Sequence, residues 1–159
     1  MAYQPSEKFM QMAIDKTREG VLSGQTPFGA CIVKDGKVVA CEHNTVWQDT
    51  DITSHGEVHT IRAACKAIGS IDLSGCILYS TCEPCPMCFS AIHWARIDTV
   101  VYGAFIADAQ DAGFNELTIS NEKMKEFGGS PVNFISGFMR DENVALFKLW
   151  KEQGANNVY

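Results

Sequence analysis

The stretch that decides the fold is Cys76-Ile77-Leu78-Tyr79-Ser80-Thr81-Cys82-Glu83-Pro84-Cys85-Pro86-Met87-Cys88. Its first part, Cys76 to Ser80, is a short apolar run of the kind that forms a buried strand. Glu83-Pro84 then opens a helix with proline in its first turn, where a missing N–H costs nothing. That helix carries Met87, Ala91, Ile92 and Ala95 inward. A strand running directly into a helix is half of an α/β unit. Cys85 and Cys88, three residues apart, share one helical face, so both sulfurs can reach a single ion. The helix N-terminus favours their thiolate form.

Upstream, Val58, Ile61, Cys65 and Ile68 form a stripe closed by Gly69, which predicts a helix with one buried face. It begins at His55-Gly56-Glu57, after a polar stretch from Trp47 to Ser54 that reads as a loop. Further back, Ala30–Val33 and Lys37–Cys41 are β-like runs joined by Asp35-Gly36, the dipeptide of a type I′ hairpin turn. At the N-terminus Ser6 and Glu7 open a helix carrying Phe9, Met10, Ala13, Ile14 and Thr17, with Gly20 as its end. Downstream, Thr99–Gly103 and Pro131–Ser136 are strand candidates, and Glu142–Glu152 is a last amphipathic helix through Leu146, Leu149 and Trp150. No repeat or linker divides the 159 residues, so the order describes one α/β domain, a mixed sheet covered by helices on both faces.

Composition narrows the function classes. Thirteen Lys and Arg against 19 Asp and Glu give a net charge of −6, so no diffuse basic surface waits for phosphates. The apolar runs fall far short of the roughly 18 residues that span a bilayer. Gln4, Pro5, Ser6 and Glu7 stand where a signal peptide needs a basic then apolar region, so the expected address is the cytoplasm. Seven irregularly spaced cysteines in a chain with a real core suit thiols and metal ligands better than disulfides.

His55, Cys85 and Cys88 together offer one imidazole and two thiolates, three protein ligands for one Zn²⁺, with a fourth tetrahedral position open to water. An open position marks a catalytic metal. Glu57 would sit beside that water as a proton carrier rather than a ligand. Ser54-x-x-Glu57 also fits a capping box, in which Glu57 merely bonds the Ser54 N–H. The conjunction of H-x-E with P-C-x-x-C, each at a helix start, is the signature of zinc-dependent base deaminases. Cys82 extends the pattern to C-x₂-C-x₂-C, but a bacterial iron–sulfur run needs a cysteine at position 92, which is Ile92. His59 reads as packed or hydrogen-bonded, His43 and His93 have no partner at ligand spacing, and Cys31, Cys65 and Cys76 read as core.

Over nearly its whole length the sequence resembles the cytidine deaminase superfamily, and within it the small bacterial guanine deaminases. The resemblance is carried by Pro27-Phe28-Gly29-Ala30, Asn44, His55-Gly56-Glu57-Val58, Ser80 through Cys88, Ala91 through Arg96, Asp111-Ala112-Gly113-Phe114 and the terminal Tyr159. It implies a three-layer α/β/α fold around a mixed five-stranded sheet. One zinc per chain would be held by His55, Cys85 and Cys88, with Glu57 transferring protons. Phe28, Trp94 and Tyr159 would surround the base, the Asn44 amide would read its polar edge, and Gly56 would help bind through its backbone N–H. The resemblance further implies a homodimer in which the segment from about 140 to 159 crosses to the partner.

The sequence departs from the family pattern in two places. Gly56 stands where Ala is usual, as in fungal cytosine deaminases, and Asn115-Glu116 stands where the guanine deaminases tend to carry aspartates. Glu116 preserves the charge with a longer reach and is the candidate to recognise the base or move a proton. The resulting expectation is hydrolytic deamination of a free nucleobase, guanine to xanthine and ammonia, by attack at C2. Cytosine or a related heterocycle is the alternative. Editing of tRNA adenosine is disfavoured by a C-terminal region in which Arg140, Lys148 and Lys151 are matched by Asp141, Glu142 and Glu152.

Overall fold

The computed structural model describes residues 2–154 and 156–159. Asp35 and Gly36 both take positive φ, 50° and 72°, the two left-handed conformations that a type I′ turn requires. They join β1 (Gly29–Lys34) to β2 (Lys37–His43) as an antiparallel hairpin. On its other side β1 pairs antiparallel with β3 (Cys76–Cys82). β3 pairs in parallel with β4 (Thr99–Ala104), and β4 with β5 (Asn133–Ile135). The five-stranded sheet therefore runs β2-β1-β3-β4-β5. With a neighbour on each side and a layer on each face, β3 reads as a nearly continuous apolar run.

Successive side chains point to opposite faces, and each face has its own helical layer. Ile32, Leu78 and Val100 pack with Ile61 and Ala64 of α3 (Gly56–Ile68) and Ile92 of α4 (Pro86–Trp94). Cys31, Tyr79 and Val101 pack with Met10, Ala13 and Ile14 of α1 (Glu7–Leu22) and Leu146 of α7 (Arg140–Glu152). A third apolar cluster gathers Phe28, Cys82, Ala104, Phe114, Phe147 and Trp150, with Tyr159 against it. It lies at the C-terminal ends of β3 and β4, the edge where open α/β sheets place their ligands. No helix among the described residues is long and apolar enough to cross a membrane.

Several local expectations are corrected. Gly20 does not end α1, which continues to Leu22; a Cβ at position 20 would lie 2.6 Å from the His43 ring, so this glycine serves close packing. The polar stretch after Thr45 contains a short helix, α2 (Val46–Asp49). Pro86, not Pro84, takes the first position of α4, and Met87 is exposed rather than inward. The strand expected over 131–136 shortens to Asn133–Ile135. Two further helices, α5 (Ile106–Asp111) and α6 (Asn121–Gly128), carried no periodic signal, because α5 buries only Ile106 and Ala109 and α6 only Asn121.

Candidate active site

α3 and α4 start side by side at the third cluster, with His55 and Cys85 as their respective N-caps. Both residues are extended, with ψ of 154° and 167°, so each side chain turns off the helix end into the same space. Cys88 follows one turn into α4 and is fully buried. His55 Nδ1 lies 3.7 Å from Cys85 Sγ and 3.6 Å from Cys88 Sγ, and the three donor atoms lie within 4.8 Å of one another. Sulfur and nitrogen ligands sharing a tetrahedral zinc at about 2.3 and 2.0–2.1 Å stand about 3.5 Å apart. The donor set and its spacing therefore fit zinc. Cys82 stays out of the cluster, buried, with its Sγ 3.6 Å from the Phe105 carbonyl.

The electrostatics suit an ion. Cys85 is pushed down to about 4 by the Cys88 S–H that donates to it, with the His55 imidazole adding to the effect against the cost of burial. A thiolate is thus already favoured beside a histidine and a second thiol.

Glu57 does not form the capping box that Ser54 could have offered, since the N-cap is His55 and no side chain caps α3. Its Oε1 instead accepts from the Ser80 hydroxyl at 2.8 Å. Burial, then the charge of Cys85, raises the Glu57 carboxyl above its ordinary range, as general acid–base residues require near neutral pH. His59 donates from Nδ1 to the His43 carbonyl at 3.0 Å and takes no part.

A cavity of about 270 Å³ opens onto His55 and Cys85 and is lined also by Met87, Glu116, Leu117 and Tyr159. Glu116 is pushed up to about 7, by burial first and then by the charges of Cys85 and Glu57. Tyr159 covers the site from its own chain. Its ring lies 5.5 Å from His55 and 5.3 Å from Phe114, centroid to centroid, and its hydroxyl is 3.0 Å from Thr26 Oγ1. Asn44 Nδ2 donates to that same hydroxyl at 2.6 Å, while Asn44 Oδ1 accepts from Val46 N–H at 3.0 Å. Ala155, within this tail, lies outside the described residues.

Phe28 stands behind the cavity, edge-on to Phe114 at 4.9 Å and Phe147 at 5.7 Å. Gly56 packs so closely on β1 that a Cβ would lie 2.8 Å from Gly29 Cα. Trp94 is not brought to the cluster: it is 82% exposed at the far end of α4 and lines a separate surface hollow with Arg96. Ser80 and Thr26 are the site residues that sequence reasoning missed. The available signal for Ser80 was a polar residue closing an otherwise apolar strand.

The chain is similar in sequence and in fold to several known deaminases. The family model of the cytidine and deoxycytidylate deaminase zinc-binding region matches residues 3–104. Guanine deaminase of Bacillus subtilis (strain 168) is 42% identical over 154 residues, 96% of this chain and 98% of that protein. The tRNA-specific adenosine deaminase of the same strain is 34% identical over 136 residues, 86% and 82% of the two chains. A solved structure from work on A-to-I editing by tRNA:A34 deaminases superposes with a TM-score of 0.75 at 32% identity, covering 89% of this chain and 99% of that one.

Proposed function

The chain belongs to the cytidine and deoxycytidylate deaminase family, and from that premise we propose that it deaminates free guanine to xanthine and ammonia. That it is a zinc-dependent aminohydrolase follows from the family and the donor set.

The observation that carries the reading is the small cavity over His55 and Cys85, walled by Tyr159 and Glu116. A space of about 270 Å³, below the roughly 300–1,000 Å³ of drug-sized sites, suits a flat base more than a nucleotide held in a polynucleotide. A carboxyl in its wall repels phosphate and can accept N–H groups of a purine edge. The greater share of both chains covered by the Bacillus guanine deaminase than by the tRNA enzyme points the same way.

Zinc held by His55, Cys85 and Cys88 would supply a Lewis acid able to make water a nucleophile at neutral pH. Glu57, held at Oε1 by Ser80, takes a proton from the attacking water. It delivers that proton to a ring nitrogen beside C2, then takes the proton of the hydroxyl newly added at C2 and gives it to the departing amine, which leaves as ammonia while the C2 carbonyl forms. Tyr159 and Phe114 shield the reacting face from bulk water. The Asn44 amide, which donates to the Tyr159 hydroxyl, holds that ring over the site and would reach the base's polar edge with its second N–H when Tyr159 moves. Trp94 enters the reading only through a homodimer, as an exposed aromatic available to a second copy; light scattering at twice the chain mass is the expected result. Incubating the zinc-loaded protein with guanine should yield xanthine and ammonia in equal amounts, and no xanthine above a Glu57→Gln control would overturn the reading.

A further inference from the structure

We propose that Ser80 is a positioning residue for the deamination, its hydroxyl fixing the Glu57 carboxyl in the orientation from which it passes protons. The inference rests on the role given to Glu57 above. Ser80 is 1% exposed and sits on the central strand, in register with Ala30 of β1 on one side and Tyr102 of β4 on the other. It shares a face with Leu78, two residues back, which packs on α3. The backbone at this point is clamped from both sides, so the hydroxyl is presented to the first turn of α3 from a rigid base.

Two contacts define its work. Oγ lies 2.8 Å from Glu57 Oε1 and 2.6 Å from the Cys82 carbonyl oxygen. A serine hydroxyl has one proton to donate and lone pairs to accept with. It can donate to a carboxylate, or donate to Cys82 while accepting from a carboxylic acid. The contact therefore survives in both forms of Glu57, and the orientation of the carboxyl is kept while protons come and go. Cys88 also lies beside Glu57, but a sulfur engaged as a thiolate ligand has no proton to offer. A carboxyl released by as little as 1 Å can lose up to about a hundredfold in rate.

The rival account is structural: Ser80 merely satisfies the Cys82 carbonyl at the end of β3. Steady-state kinetics of zinc-loaded wild type, Ser80→Ala, Ser80→Thr and Glu57→Gln, on whichever of guanine, cytosine and adenine the wild type deaminates fastest, separate the two. They are read alongside zinc content, melting temperature and crystal structures of the wild type and Ser80→Ala. The expected result for Ser80→Ala is kcat lower by about ten- to a hundredfold, with KM within about twofold, one zinc per chain and the Glu57 side chain displaced. Ser80→Thr restores the hydroxyl and brings kcat back to within about threefold of wild type. A lower melting temperature with unchanged kcat and an unmoved Glu57 would overturn the inference in favour of the structural account. Retention of wild-type kcat by Glu57→Gln would instead overturn the role of Glu57, whereas its loss alongside an unaffected Ser80→Ala sinks the inference alone.

Discussion

The Asn44 side-chain amide donates to the hydroxyl of Tyr159 at 2.6 Å, tying residues 115 positions apart across the mouth of the zinc site. Asn44 is fully buried at the end of the β1–β2 hairpin, and Tyr159 is the last residue of a tail with no apolar periodicity of its own. The bond, with those to Thr26 and from the Asn115 N–H to the Tyr159 carbonyl, explains why this terminus is docked.

Deleting Val158 and Tyr159 is expected to leave zinc content unchanged and lower kcat/KM for guanine by about tenfold or more, the loss of one aromatic wall and of water exclusion. Kinetics identical to the full chain would return the tail to an ordinary frayed end.

Gly56 and Gly29 touch where α3 starts against β1. A methyl at position 56 would press on Gly29 Cα at 2.8 Å and Gly29 N at 3.0 Å, both backbone atoms that cannot swing aside. Gly56→Ala should therefore displace the start of α3, costing about 1–3 kcal/mol and weakening zinc retention through His55. Thermal melting and metal analysis after dialysis check this, and an unshifted midpoint would mean a looser helix–strand contact than the structure has.

Glu57→Gln should keep the fold and the zinc while losing at least about a hundredfold in kcat. Its carboxyl neighbours the metal ligands without being one, and no cap depends on it. A variant that melts early but keeps its turnover in the folded fraction would restore the capping reading.

Glu116 gives a pH dependence of stability with a definite sign. Burial, then the charges of Cys85 and Glu57, raises its folded pKa from near 4.5 to about 7, so between these values the folded chain holds a proton that the unfolded chain has released. Stability from this group is present below pH 4.5, falls as pH rises toward 7 and is level above it. Urea unfolding of the metal-free protein should show Glu116→Gln flattening that part of the profile. A profile in the variant parallel to wild type would place Glu116 in a better solvated setting.

The hairpin and α3 were legible because their signals are local: Asp35-Gly36 supplies two positive-φ residues, and Gly69, with φ of 74°, ends α3. The metal centre was legible because H-x-E and P-C-x-x-C each fall at a helix start. What could not be read depends on distant partners. Gly20 looks like a helix terminator until His43 packs on it. α5 and α6 are too short and too polar to show a period. Met87 and Trp94 have the composition of core residues, yet both lie on the outward side of α4 and stay exposed. Ser80 reads as the tail of an apolar strand until the fold places it under Glu57.

Deamination of a free purine at the zinc site is tested most directly by comparing kcat/KM of the zinc-loaded protein for guanine and for adenosine within a tRNA anticodon stem-loop. Guanine should be favoured by about a hundredfold or more, since polar groups that pair with the edge of a free purine are left unpaired by any other substrate. Preference for the stem-loop adenosine, with guanine left unconverted, would contradict it.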